Sequence, residues 1–596
     1  MVSRRKLFSM ILMMTVLFLL FMLTQIYRDA VNNYDTNEYA AEITLGRSDS
    51  FSAAEASVQA PEGRQVVLIG RQSGSLGNVV EQWCTYSKRY LCCFSSLRDY
   101  LSQHRVSADI LCLEPESISC LEDGELLGEL YDQELVMIFG GLPEAEKLKK
   151  VPKLCQVLGI EKIREDNTEL TGICMYKGFL LGGEVLYQAD TQEDALRQDL
   201  ELQVPWYELG GMTKKYMIGL VEDESVERED QPPILWRNTL GKAKVFAVNG
   251  EYLRDETGLG FLDAMMAESY SYFLYPVVNA QNLSVTDYPS FTSENEEALQ
   301  EIYSNSHRML LQHIIWPSLI SLSEQSGFKM TCFLTPEFFY SGENELQTEL
   351  LSYYLRQIRE QHGEMGWSAE GMDEISVADK WSRDARFFSE AESTYCYTAA
   401  YGGNVQADEI AGLKGGEEIP EIRTLSGMRE EKEPPVSFLS ENITCQGITH
   451  RADRYYFSDD LKNRSLQTAL GYTNILLDMR CVSWPESAQE HWENYSRIIS
   501  GNIATWWKPF SCFDKTTVTE SDGRVRSFLA VEYEDMREDD TIELKLKNRQ
   551  GMVSFVLRTH DKRVETVLGG TFSQIEQDAW LITVQEDEVS IVLESL

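Results

Sequence analysis

At 596 residues the chain exceeds what one hydrophobic core serves, so several domains are expected. Hydrophobic residues at 43% and aromatics at 11% exclude wholesale disorder. With 95 acidic against 54 basic residues the net charge is −41, a field that repels nucleic acid and favours cationic partners; it reads as solubility at a crowded surface or as attraction to a polymer bearing free amines.

In chain order, Arg4, Arg5 and Lys6 precede an uncharged run from Leu7 to Ile26. At about 1.5 Å per helical residue that run spans a hydrocarbon core of about 30 Å. The basic flank is expected to stay cytoplasmic, leaving the bulk of the chain outside. The exit "TQIYRDAVNNYDTNEYAAEI" has no small-residue cleavage pattern close to the run, which favours an uncleaved anchor over a signal peptide. Residues 1–30 thus read as cytoplasmic flank and transmembrane anchor of a single-pass cell-membrane protein, and 31–62 as a polar stalk.

Between 63 and 270, short apolar runs ("RQVVLIG", "ADILCLE", "ELVMIFGGLP") alternate with helical stretches, the pattern of a doubly wound α/β domain. From 271 to 512, repeated β-then-α units point to a β/α barrel. Its opening runs from "YPVVNAQNLSVTDYPSF" through the amphipathic "LLQHIIWPSLISLSEQSG" to "FKMTCFLTPEFF". From 513 the period changes to alternation ("RVRSFLAVEYED", "DTIELKLKNRQ", "MVSFVLRTH", "AWLITVQEDE"), predicting a small antiparallel β domain, a sandwich. The 12 cysteines are irregularly spaced and often sit inside apolar runs, where cysteine acts as a small hydrophobe; buried free thiols and no zinc site are expected.

The order "TDYPSF", "WPSLISLSEQSG", "FKMTCFLTPEF" resembles the opening of the NodB-type polysaccharide deacetylase barrel. That resemblance implies a divalent ion held by an Asp and two His, a second Asp activating the metal-bound water, and a further His protonating the leaving amine. Here Thr286-Asp287 stands where the family has an Asp pair. The second motif reads "EMGWSAEGMDEIS", with Trp367, Ser368, Glu370 and Asp373 and no histidine. No two of the seven histidines lie three to five residues apart, and "LGYTNILLDM" offers Asn474 and Asp478 where the acid histidine would stand.

More broadly, the motifs "DYPSF", "FLTPEFF", "RSLQTALGYTNILLDM" and "FVLRTH" resemble a family of uncharacterised Gram-positive surface proteins. In these an amidotransferase-like α/β domain precedes a deacetylase-like barrel, and the genes resemble companions of Pel-type exopolysaccharide machinery. The resemblance implies a role in polymer production or modification. The amidotransferase nucleophile is not expected, because "DILCLEPES" around Cys112 lacks the glycines of a nucleophile elbow.

Asp287 is the candidate catalytic acid and metal ligand, with a turn residue before Pro289 as the other reading. His450 lies beside acids in "CQGITHRADRYYFSDD", and Asp459 and Asp460 could reach a barrel mouth or cap the next helix. Glu337 ends a strand, and Trp506 and Trp507 are candidates to stack on sugar rings. The expectation is a degenerate barrel that binds or guides an amino-sugar exopolysaccharide, or its synthase subunits, without turnover. No cofactor is expected on that reading. The alternative is an active metal-dependent polysaccharide deacetylase or glycoside hydrolase, which would need a divalent metal.

Overall fold

A computed structural model describes residues 12–23 and 64–595, except 103–106, 119–121, 414–421, 488–489 and the single positions 224, 343, 394, 404, 406, 431 and 441. The stalk, and the anchor either side of 12–23, lie outside the described residues. Residues 12–23 are helical and exposed, and among the described residues no helix is long and apolar enough to cross a membrane.

The first unit is built on a nine-stranded sheet. Its parallel half runs in the order Tyr90–Phe94, Gln65–Ile69, Ile110–Leu113, Val136–Phe139, Ala243–Val248, and four antiparallel strands extend it. Continuous apolar runs form these strands because both faces are covered. Val66 and Leu68 pack into one core, while Val67 and Ile69 pack into the other.

The second unit is a parallel barrel of seven strands. We number them β1 (Ala280–Ser290), β2 (Met330–Thr335), β3 (Glu364–Ser368), β4 (Ala399–Tyr401), β5 (Thr424–Gly427), β6 (Thr444–Gly447, resuming at His450–Arg451) and β7 (Tyr472–Asp478). Pairing runs β1 to β2 and on to β5 in sequence, then β5 to the first half of β6. The second half of β6 pairs with β7, and β7 returns to β1, so the interrupted strand closes the ring. The barrel is therefore complete.

Alternation along the strands sorts their side chains. Leu283, Val285, Met330, Cys332 and Trp367 face the outer helices, whereas Phe333, Tyr401 and Leu476 fill the interior. The N-terminal end of the barrel is sealed by polar side chains. Ser284 Oγ donates to Asn474 Oδ1 at 2.7 Å, Asn474 Nδ2 to Ser426 Oγ at 2.9 Å, and Gln446 Nε2 to Thr424 Oγ1 at 2.8 Å. A helix, α2 (Val518–Ala530), plugs that end: Val518 N donates to Thr331 Oγ1 and Thr519 N to Glu364 Oε1. Among the described residues of the barrel, the opposite, C-terminal end carries no such plug.

The tail departs from the sequence reading in two places. "RVRSFLA" is helical rather than extended, because Thr517 and Glu520 form a capping box and Val525 and Phe528 bury one helical face. The third unit is a sandwich of two four-stranded sheets, and one of its strands, Tyr272–Val277, precedes the barrel in sequence and pairs antiparallel with Val553–Thr559. The described cysteines are free, and Cys84, Cys112, Cys174 and Cys332 are buried.

Candidate functional site at the barrel mouth

β1 carries an irregularity at its C-terminal end. Asp287 has φ of 55°, and the register with β2 shifts between Thr286 and Ser290. Left-handed backbone is tolerated by Asp better than by most residues. The twist breaks the in-out alternation. Val285 and Tyr288 face the outer helices, yet the Asp287 carboxylate turns inward, where Thr335 Oγ1 donates to its Oδ1 at 3.0 Å.

The partner of that carboxylate comes from the end of β7. Arg480 Nε donates to Asp287 Oδ2 at 2.8 Å, with Nη2 also at 2.8 Å. The same Nη2 lies 3.3 Å from Glu370 Oε2, in the loop after β3. Asp478 Oδ1 accepts from the Arg480 backbone N–H at 3.0 Å, which fixes the residue at the strand end. Arg451, on β6, extends the chain of charges: it lies 3.5 Å from Asp478 and 3.1 Å from Asp453, which also faces Arg454 at 3.8 Å.

Ser368, last on β3, shares the inward parity of Glu364 and Gly366; it is fully buried, and its hydroxyl has no protein partner. Burial pushes the Asp287 carboxyl up to about 6; Arg480 pulls it down, while Asp478 and Glu370 push it up. Desolvation outweighs the ion pair here. Burial, with Glu370 and Asp287 beside it, also raises the Tyr401 phenol.

Of the residues proposed from sequence as catalytic or metal-binding, Asp287 lies at this mouth, joined by Ser368 and Glu370 of the second motif and by Asp478; His450, Asp459 and Asp460 do not. His450 stands level with Ile475 and, across β7, with Leu283, four positions short of Asp287 and roughly 13 Å down the strand. It is buried against Tyr455 and Trp507, with both ring nitrogens unpartnered, and burial lowers its pKa. Asp459 accepts from Tyr456 N–H at 2.9 Å and caps the helix α1 (Phe457–Leu470). Asp460 is buried under the first unit, accepting from Tyr187 Oη and Arg464 Nε, both at 2.7 Å. Sequence proximity to His450 therefore does not carry over to the mouth.

Trp507 is completely buried, so it offers no platform for a sugar, and Trp506 packs half-buried between Tyr455 and Phe457. Glu337 is held by Arg383 at 2.9 Å.

The residues that complete the mouth, Glu370, Asp478, Arg480 and Ser368, each end or follow an apolar strand. That position is the signal by which they are found, since β/α barrels keep function at strand C-termini. A pair without a sequence signal is Ser290 and His307, buried, with Oγ and Nε2 3.3 Å apart.

The donor set does not fit the divalent ion that the NodB-type resemblance implies. Among the described residues no group of three or more His, Cys, Asp or Glu is arranged to hold a metal. Asp287 and Glu370 converge on the Arg480 guanidinium instead, and Asp478 faces that of Arg451.

Residues 179–400 match a family model described as "Uncharacterised protein conserved in bacteria (DUF2194)". No curated protein matches the chain. Among solved structures, the chain is similar to Agd3, described as a novel carbohydrate deacetylase, at 9% identity and a TM-score of 0.51, covering 89% of this chain and 99% of that one. At that identity the likeness shows a shared fold. Two weaker matches are the β-galactosidase from Rahnella sp. R3 (12% identity, TM-score 0.23, 34% of this chain and 31% of that) and a putative ThuA-like protein from Bacteroides uniformis (12%, 0.22, 36% and 94%).

Proposed function

We propose that this protein binds or guides an amino-sugar exopolysaccharide at the barrel mouth without cleaving it. The supporting observation is a mouth that keeps the place of the deacetylase acid, Asp287, but commits it to Arg480, with no imidazole among its described partners. A fold shared with a carbohydrate deacetylase, and a strongly acidic chain suited to polymers bearing free amines, support the same reading. In this proposal the apolar N-terminus anchors the chain in the cell membrane with its bulk outside. The partners are the polymer and subunits of its synthase, in an exopolysaccharide system of the Pel type in a Gram-positive cell.

The experiment is titration calorimetry with oligomers of glucosamine and of N-acetylglucosamine, alongside an acetate-release assay. Saturable binding of either oligomer with no acetate release is expected. Acetate release that disappears in D287N would instead establish the deacetylase alternative. Absence of binding to both oligomers would end the polymer reading.

A further inference from the structure

β1 lies between β2 and β7, and the segments that follow those two neighbours meet at the rim of the mouth. Phe338 and Phe339 come from the loop after β2, and Trp484 from the turn after β7. The Trp484 ring stands 4.3 Å from that of Phe338 and 6.0 Å from that of Phe339, edge-to-face in both pairs. Phe338 is buried, whereas Phe339 is 37% exposed and Trp484 is half-buried. Single exposed aromatics are ordinary on a protein surface, but two in contact at a barrel mouth form a surface.

Polar contacts fix the backbone that carries these rings. Glu294, in the stretch after β1, accepts the backbone N–H groups of Phe338 and Phe339, both at 2.9 Å. Its neighbour Asn295 donates Nδ2 to the Ser483 carbonyl oxygen at 2.6 Å, so one short segment holds both aromatic loops. The residues after β3 hold the first loop as well: Asp373 accepts the Ser341 N–H, and Met372 N–H donates to the Phe338 carbonyl. Trp484 N–H donates to the Arg480 carbonyl at 2.8 Å, which places the ring's residue one helical turn, about 5.4 Å, beyond the cation paired with Asp287. Rings fixed in this way lose little freedom when a ligand covers them.

We propose that Phe339 and Trp484 form a stacking platform for one sugar ring of the polymer, an inference that rests on the reading that a polymer binds at the mouth. The surroundings call for an occupant that is amphipathic within the breadth of one ring. The platform is apolar, while Glu370, Asp478 and Arg480, all partly exposed, lie at the ends of the adjoining strands. A wholly apolar ligand would leave those charges desolvated and unmatched, and a small ion would leave the rings uncovered. A pyranose meets both demands: its C–H face packs on the negative face of an aromatic ring, and its hydroxyl or amino groups project from the edge. The buried Trp506–Trp507 region offers no such face.

The test is titration calorimetry of the full chain with oligomers of glucosamine and of N-acetylglucosamine, comparing substitutions at the exposed ring. F339A should bind the oligomers about tenfold more weakly than the unaltered protein, and by the same factor for both, since the apolar ring face is common to them. F339W, which restores an aromatic face, should bind as the unaltered protein does. F339L, which keeps apolar bulk without a ring, should stay weak. If the unaltered protein binds while F339A and F339L bind as tightly as F339W, the platform is overturned and the polymer reading stands. If the unaltered protein binds neither oligomer, both fall together. Should F339A fail to fold, F339L against F339W decides on the same terms, with weaker binding by F339L in support and equal binding against.

Discussion

Asp287 and His307 make opposite demands on pH. Asp287 has its carboxyl raised from 3.8 to about 6 by burial, so its contribution to stability is complete below pH 3.8 and is lost as pH rises through 6. His307 has its imidazole lowered from 6.5 to about 4 by burial, so its contribution is present above pH 6.5 and is lost as pH falls through 4. The two trends partly cancel in the unaltered protein, and only a difference measurement separates them. D287N should therefore gain stability relative to the unaltered protein between pH 4 and 6.5, by up to about 3 kcal/mol. Urea melts at a series of pH values read this directly, and a pH-independent difference would show that Asp287 titrates normally.

Helix α1 joins two units through a contact that admits no side chain. Gly260, in the helix Thr257–Ala267, donates its N–H to Ser465 Oγ at 2.8 Å, and a Cβ there would lie 2.2 Å from the Ser465 carbonyl oxygen. Backbone cannot yield as a flexible side chain can, so G260A must separate the helices, at a cost of about 1–3 kcal/mol. A urea midpoint unchanged within error would mean that the helices slide without loss. At the barrel's sealed end, T517A removes the cap of α2, whose side chain accepts from Glu520 N–H, and should cost about 1 kcal/mol. Because α2 plugs the interior, this loss should appear in the melt of the whole barrel; a loss confined to helical ellipticity would contradict that.

One hydrophobic core crosses all three units: it contains Val66 and Leu262 of the α/β unit, Leu466 and Leu470 of α1, and Val556 and Leu581 of the sandwich. The strand Tyr272–Val277 ties the sandwich to the residues just before the barrel. Calorimetry of the full chain should accordingly show a single cooperative transition, with equal calorimetric and van't Hoff enthalpies. Three resolved transitions would mean that the units fold independently despite the shared core.

Local pattern by itself determined the parallel strands, because runs such as "VVLI", "ILCL" and "VMIF" can be satisfied only with both faces buried, and it placed Asp287 at a strand end. It also determined which histidine spacings were absent. Tertiary structure alone decided that β6 closes the ring, that "YFLYPV" belongs to the sandwich, and that His450 and Asp460 lie away from the mouth. It likewise brought Arg480 to Asp287 across 193 residues. The physical reason is that burial on both faces is a property of each short segment, whereas register, ring closure and ion pairing depend on which distant segments meet.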